Sequence, residues 1–171
     1  MVIGGGAILI AFITVQRLAE LWWAKQNEAR LMAAGGVEYG HWHLALIMLV
    51  HAAWLLGMWL RAYDHVVDPT YLAVFVVLEI ARLSVLVTLG RRWTIRIIVV
   101  PGERLVTRGP YRFLRHPNYV IVCGEIAVVP LALGMQTYAL VFTLLNAAVL
   151  AIRIPEENAA LQAAAKRAES L

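Results

Sequence analysis

The sequence predicts an all-α integral membrane protein of about five transmembrane helices, with a short cytoplasmic insert before a C-terminal helical hairpin and an amphipathic tail helix. Three observations carry this. Hydrophobic residues make up 61% of the 171-residue chain and charged residues only 15%, well outside the usual balance of a water-soluble domain. The apolar residues fall in five continuous runs. The arginines gather between and after particular runs, as they do in membrane proteins of fixed orientation.

The runs are Val2–Gln16 continuing past Arg17 to Ala24, Leu44–Leu60, Tyr71–Leu89, Tyr119–Leu133 and Tyr138–Ile152. In hydrocarbon each must satisfy its backbone internally, so each is expected to be a helix. The expected bounds are about 2–24, 43–61, 70–90, 118–134 and 137–153, followed by a tail helix at 155–169, all in one domain. The last two runs are about 15 residues each; at about 1.5 Å per residue that is roughly 22 Å, short of the roughly 30 Å core. They read as a tight hairpin turned by Pro130, Gly134, Gln136 and Thr137.

Placing the N-terminus outside puts Lys25 and Arg30 in the first inner loop and Arg91, Arg92, Arg96, Arg104, Arg108, Arg112 and Arg115 in the second. Arg153, Lys166 and Arg167 follow the last span, also inside, and only Arg61 is left in an outer loop, beside Asp64 and Asp68. Trp22, Trp23, Trp42, Trp59 and Trp93 lie near helix ends, where amphipathic rings favour the interface, while Trp54 lies deeper. The first run lacks a basic leader and a small-residue cleavage site, so it is expected to stay as an anchor. Cys123 is the single cysteine, which excludes an intrachain disulfide, and it reads as a small core residue. The net charge of +4 follows from the inner-loop arginines. Anionic lipid headgroups explain it without nucleic acid as a partner.

Polar residues concentrate in two places. The insert 91–117 is rich in arginine and punctuated by Pro101, Gly102, Gly109, Pro110 and Pro117. Within it Thr94–Val100 reads as a short strand, with Glu103–Thr107 as a candidate hairpin partner. The second is Arg153-Ile-Pro-Glu156-Glu157-Asn158, where Pro155 suits the first turn of a new helix and the two carboxylates suit a helix N-terminus. Within the spans, Arg17 and Glu20, and Glu79 and Arg82, are each three apart and expected to pair, or else to line a substrate groove. Glu125 is the lone charge of the fourth run. His51 reads as a hydrogen-bonded interior residue. His41 and His43 flank Trp42 in a short loop, and with no helical His/Glu ligand pair beside them no metal is expected.

The stretch Leu105-Val-Thr-Arg-Gly-Pro-Tyr-Arg-Phe-Leu-Arg-His-Pro-Asn-Tyr119, followed about 35 residues later by Arg153-Ile-Pro-Glu-Glu157, resembles the isoprenylcysteine carboxyl methyltransferase family. That family and the related phospholipid N-methyltransferases place an Arg-His-Pro-x-Tyr motif before a helical hairpin and a Glu-Glu pair after it. The likeness covers roughly Arg92 to Asn158. Family members acting on prenylcysteine commonly have glycine where this chain has Ile121, and a Phe-Gly with further tyrosines after the acidic pair, where this chain runs on through Ala159 to Leu171. Both departures count against prenylcysteine as the acceptor. Arg17-Leu-Ala-Glu20, Lys25-Gln-Asn-Glu28 and Gly35-Gly-Val-Glu38 resemble a bacterial branch linked to type III polyketide synthases, whose members methylate alkylpyrone or alkylresorcinol products.

The resemblance implies an S-adenosylmethionine-dependent methyltransferase of the bacterial inner membrane, with its active site on the cytoplasmic side and S-adenosylhomocysteine as product. Its acceptor is expected to be an oxygen, carboxylate or enol/phenol, of a hydrophobic or lipid-like molecule from the bilayer, and a homo-oligomer is possible. Arg115 and His116 are candidates for the cofactor carboxylate, Glu156 or Glu157 for its ammonium or a ribose hydroxyl, and Asn158 for an amide contact. Tyr111 and Tyr119 offer aromatic faces to the sulfonium or adenine. Pro110 and Pro117 fix the backbone, and Gly109 permits close approach. Arg153 is the candidate to orient an anionic acceptor; a plain phenol would need a base, for which His116 or Glu125 is nearest. The competing readings are a phospholipid N-methyltransferase and a non-enzymatic helical carrier or assembly factor.

Overall fold

The computed structural model describes residues 4–103 and 105–169, without the side chains of 41 and 164–169. Val2, Arg104 and the side chains of Lys166 and Arg167, used above, lie outside the described residues. The elements are α1 (Gly5–Ala33), β1 (Val37–Tyr39), α2 (His41–Ala62), α3 (Pro69–Leu89), β2 (Ile97–Val99), α4 (Pro117–Ala132) and α5 (Gln136–Glu169), with single 3₁₀ turns at Gly90–Arg92 and Gly109–Arg112. Four of these helices are long and apolar enough to cross a membrane, and Pro117–Ala132 is a shorter apolar one. The fold is an all-α membrane bundle.

Two helix bounds differ from the sequence reading. α1 runs on to Ala33, because Lys25, Asn27, Glu28 and Arg30 end a hydrophobic run without ending a helix; at 29 residues it spans about 44 Å, so its last turns clear the hydrocarbon. Those turns organise the insert. Asn27, fully buried, donates through Nδ2 to the carbonyls of Gly90 (3.2 Å) and Trp93 (2.9 Å), while Glu28 Oε1 accepts from the backbone N–H groups of Ile95 and Arg96. The tail is not a separate helix either. α5 is continuous through Pro155 for 34 residues, so the missing proline N–H is absorbed inside a helix and does not start one.

The strand partner is also different. β2 pairs antiparallel with β1, in the register Val37↔Val99, Glu38↔Ile98 and Tyr39↔Ile97, and not with the described residues 103 and 105–107. The end of α1 delivers β1 to this place, and Arg96 Nη1 to Glu38 Oε2 at 3.0 Å fixes the pairing electrostatically.

At the opposite end three segments meet. Asp68 caps α3 by accepting from the N–H of Thr70 at 2.7 Å, and its own N–H donates to the Ala132 carbonyl at 2.8 Å. His65 Nδ1 donates to the Leu133 carbonyl at 2.7 Å, and Gly6 N–H to the His65 carbonyl at 2.9 Å. Side chains are excluded at Gly6, where a Cβ would fall 2.3 Å from the Ala62 carbonyl oxygen. Between the two ends Ile10, Ile13, Trp54, Met58, Phe75, Ile126 and Val129 form the dry core, with Trp54 Nε1 donating to the Ile126 carbonyl at 3.2 Å. Large aliphatic residues such as Leu60 (72% exposed) and Val87 (79%) point outward, as a lipid-facing surface requires.

The intramembrane charges meet in one cluster across α1, α3 and α4. Arg82, buried, donates Nε to Glu125 Oε1 at 2.7 Å and Nη2 to Glu125 Oε2, and reaches Glu20 Oε2 at 3.2 Å. Arg17 pairs with Glu20 at 2.9 Å, as its spacing predicts, and also with Glu125. The expected Glu79–Arg82 pair does not form: Glu79 accepts instead from Gln16 Nε2 at 2.6 Å. A ladder of two guanidinium forks and two carboxylates satisfies more buried donors than a local pair on one helix could. His51 Nδ1 bonds the Ile47 carbonyl on its own helix at 2.9 Å.

Candidate active site

Where α4 begins and α5 leaves the bundle, the chain forms a half-open cavity of about 550 Å³, within the range of small-molecule sites. Its walls come from the insert, β2, the first turn of α4 and the second half of α5. Tyr111, Arg115, His116 and Tyr119 line it from one side, and Arg153, Glu157 and Asn158 from the other. The two motifs are 34 residues apart between Tyr119 and Arg153, yet α4 and α5 form an antiparallel hairpin, so its open ends return to one place.

A continuous polar chain joins these side chains. Asn158 Oδ1 lies 2.9 Å from His116 Nε2, and Glu157 Oε1 lies 3.5 Å from His116 Nδ1. Both ring nitrogens face acceptors, the arrangement of an imidazolium. Tyr119 donates its hydroxyl to Glu157 Oε2 and accepts from Arg153 Nε at 2.6 Å. Arg153 Nη2 donates to the Ile95 carbonyl, leaving Nη1 without a protein partner among the described residues. His116 stacks on Tyr119 with ring centroids 5.3 Å apart and planes at 23°. The Arg153 guanidinium lies 5.9 Å from the centre of the same ring.

The hydrogen bond to Glu157 raises His116 above the ordinary histidine value; burial opposes this, and the Asn158 contact adds to the rise. Burial pushes the Tyr111 hydroxyl well up, and the Glu157 charge pushes it further, so Tyr111 stays a neutral aromatic donor.

Other predicted residues sit elsewhere. Glu156 is turned out of the cavity and given to His43 Nε2 at 2.8 Å. Glu125 belongs to the intramembrane cluster, six residues along α4 from Tyr119 and thus about 9 Å deeper; both its oxygens are taken by arginines, and it is not on the cavity wall. Gly109 (φ 57°) does allow a close approach, but to α3: a Cβ there would lie 2.4 Å from Thr88 Oγ1. Pro110 opens the 3₁₀ turn that presents Tyr111, and Pro117, buried, opens α4 directly after His116.

Several wall residues were not singled out in the sequence. Trp93 Nε1 and Asn118 Oδ1 are buried on cavity-lining residues without a protein partner, and Ile97 and Val99 turn the short strand into a wall. Asn118 lies inside the Arg-His-Pro-x-Tyr motif, the one signal that could have found it. His43 was read as a loop residue but is fully buried in the first turn of α2.

The chain is 36% identical over 160 residues to the uncharacterized protein YpbQ of Bacillus subtilis strain 168, covering 91% of this chain and 95% of that one. It is 24% identical over 160 residues to an uncharacterized protein of Haemophilus influenzae, covering 90% and 93%. No solved structure matches significantly. The family model of the isoprenylcysteine carboxyl methyltransferase (ICMT) family matches residues 71–163, more than half of the chain and both halves of the polar network. With an apolar bundle that buries its charges in pairs and a polar cavity at one end, the chain belongs to the isoprenylcysteine carboxyl methyltransferase family of membrane methyltransferases.

Proposed function

We propose that the chain transfers a methyl group from S-adenosylmethionine to an oxygen of a hydrophobic, lipid-like acceptor at the cytoplasmic face of a bacterial inner membrane. The observation that carries the reading is the convergence of Arg115, His116 and Tyr119 with Arg153, Glu157 and Asn158 around one cavity at the end of an apolar bundle.

The donor set fits the cofactor. Its carboxylate calls for cations, and Arg115 with a charged His116 supplies them. The ammonium and ribose call for acceptors, met by Glu157 and Asn158; Trp93 Nε1 and Asn118 Oδ1, buried and unpartnered, are further polar groups on the wall. Tyr119 and Tyr111 offer π faces suited to a sulfonium or a purine. S-adenosylmethionine supplies the electrophilic methyl, and the protein's part is to hold both reactants in line and dry.

The same geometry supports an acceptor that is already anionic. Both ring nitrogens of His116 face acceptors on Glu157 and Asn158, and the pairing with Glu157 favours its protonated form, which disfavours it as a base; Glu125 is bound by two arginines away from the cavity. A carboxylate or acidic enol needs no base, and Arg153 Nη1 can orient it and favour its ionised form. The cationic residues described at the cavity end (Lys25, Arg30, Arg91, Arg92, Arg96, Arg108, Arg112, Arg115), against Arg61 alone at the other, support a cytoplasmic cavity.

The test is transfer of labelled methyl from S-adenosylmethionine to bacterial lipid extracts by the purified protein in nanodiscs. The expected product carries its label either as a methyl ester, released as methanol in base, or as a base-stable O-methyl ether on a carbon skeleton without nitrogen. Label confined to base-stable N-methyl groups would replace this reading with amine methylation, and no transfer to any fraction would overturn it.

A further inference from the structure

The acidic pair faces two ways. On α5, Glu156 and Glu157 are about 100° apart around the axis. Glu157 points to the cavity, where Tyr119 and His116 hold it. Glu156 points to the far flank and meets His43, whose Nε2 donates to Oε2 at 2.8 Å. His43 is fully buried, and among the described residues its Nδ1 has no hydrogen-bond partner, so no other polar group there competes for this histidine.

The backbone is shaped around that contact. Gly40 precedes α2 in the left-handed region at φ 60°. A Cβ there would fall 2.1 Å from His43 Nε2 and 2.2 Å from Glu156 Oε2, so a side chain at 40 would push the His43–Glu156 pair out of its present place. The three residues before Gly40 are β1, paired to the strand that walls the cavity, and Tyr39 packs with Ile97, Val99 and Ala160. The 37–43 segment therefore grips α5 from behind and the cavity wall from the side. It lies outside the residues that the family model matches.

We infer that Gly40 and His43 are positioning residues: by holding Glu156 on the far flank they set the rotation of α5 that presents Glu157 and Asn158 to the methyl-donor cofactor. The inference rests on the cofactor assignment proposed above. A hydrogen bond to a charged group of this kind corresponds to roughly ten- to hundredfold in an equilibrium; with part of it transmitted along one helix turn, roughly tenfold is expected at the cofactor.

The test is calorimetric titration of the full-length protein in detergent with S-adenosylhomocysteine, for wild type, His43→Ala, His43→Gln, Glu156→Ala and Gly40→Ala. His43→Ala, Glu156→Ala and Gly40→Ala should each weaken binding about tenfold. His43→Gln, which keeps an N–H donor at similar reach, should recover most of it. The double variant His43→Ala with Glu156→Ala should be no weaker than either single one, and its His116 should titrate lower because Glu157 is no longer held against it. Glu156 is partly exposed, so its variant reports even where His43→Ala fails to fold. Wild-type affinity in Glu156→Ala, or no recovery in His43→Gln, overturns the positioning role alone. A wild-type protein that binds no S-adenosylhomocysteine overturns the cofactor assignment instead.

Discussion

Replacing Glu157 with glutamine keeps the side chain's size and removes its charge, which isolates the electrostatics of the cavity. Glu157 Oε1 lies 3.5 Å from His116 Nδ1, and the two side chains are 24% and 15% exposed. At an effective dielectric near 20 the Coulomb attraction at that range is about 4–5 kcal/mol. Desolvation offsets most of it, and hydrogen bonds to charged groups retain about 1.5–3 kcal/mol net. About 2 kcal/mol corresponds to roughly 30-fold in a binding constant.

The sign follows from the direction of the shift. His116 is raised in the folded protein chiefly by Glu157, so the pairing contributes fully below the ordinary histidine value of 6.5 and is lost as pH rises through the elevated one. In wild type, S-adenosylhomocysteine affinity is expected to fall across that alkaline limb. In Glu157→Gln the His116 titration moves down toward 6.5, neutral-pH affinity drops about 30-fold, and the alkaline limb moves with it. NMR titration of His116 and calorimetry across the pH range check both parts. An unchanged His116 titration in Glu157→Gln would refute the reasoning.

Arg82→Ala leaves Arg17 as the one cation for the two buried carboxylates Glu20 and Glu125, so one negative charge goes uncompensated in the membrane interior at an expected cost of about 3–5 kcal/mol, read as a lower midpoint in detergent-induced unfolding; a loss below about 1 kcal/mol would contradict the ladder. Arg153→Lys keeps the charge but cannot bond Tyr119 and the Ile95 carbonyl together, so turnover should fall about tenfold or more while the unfolding midpoint stays put. At Gly57 a Cβ would lie 2.2 Å from the Tyr138 hydroxyl, which donates to the Ala53 and Trp54 carbonyls. Gly57→Ala should therefore lower thermal stability by about 1–3 kcal/mol, and adding Tyr138→Phe should recover part of it.

The apolar runs made the helices legible, because a chain in hydrocarbon has few ways to satisfy its backbone. Their ends were less so. Hydrophobicity stops at Ala24, yet Lys25–Ala33 are good helix formers in water and α1 continues to grip the insert. Pro155 breaks a pattern without breaking a helix whose other bonds hold. The partner of β2 could not be read from Thr94–Val100, since an edge of three residues pairs with whatever the fold brings beside it. At the site, the Arg-His-Pro-Asn-Tyr stretch and the Arg153–Asn158 segment were both visible as polar residues next to apolar runs, and the hairpin between them brings them together. Glu125 and Glu156 illustrate what sequence spacing lacks: whether a carboxylate faces a cavity or a basic neighbour depends on residues far away in the chain, Arg17 and Arg82 for one and His43 for the other.

Titrating the purified, detergent-solubilised protein with S-adenosylmethionine by calorimetry, in competition with S-adenosylhomocysteine, tests most directly that one ligand is held between the two halves of the network. One site per chain, shared by both compounds and weakened in Arg115→Ala and Glu157→Gln alike, is the predicted result. The absence of binding in the wild-type protein, or binding that neither substitution alters, would contradict it.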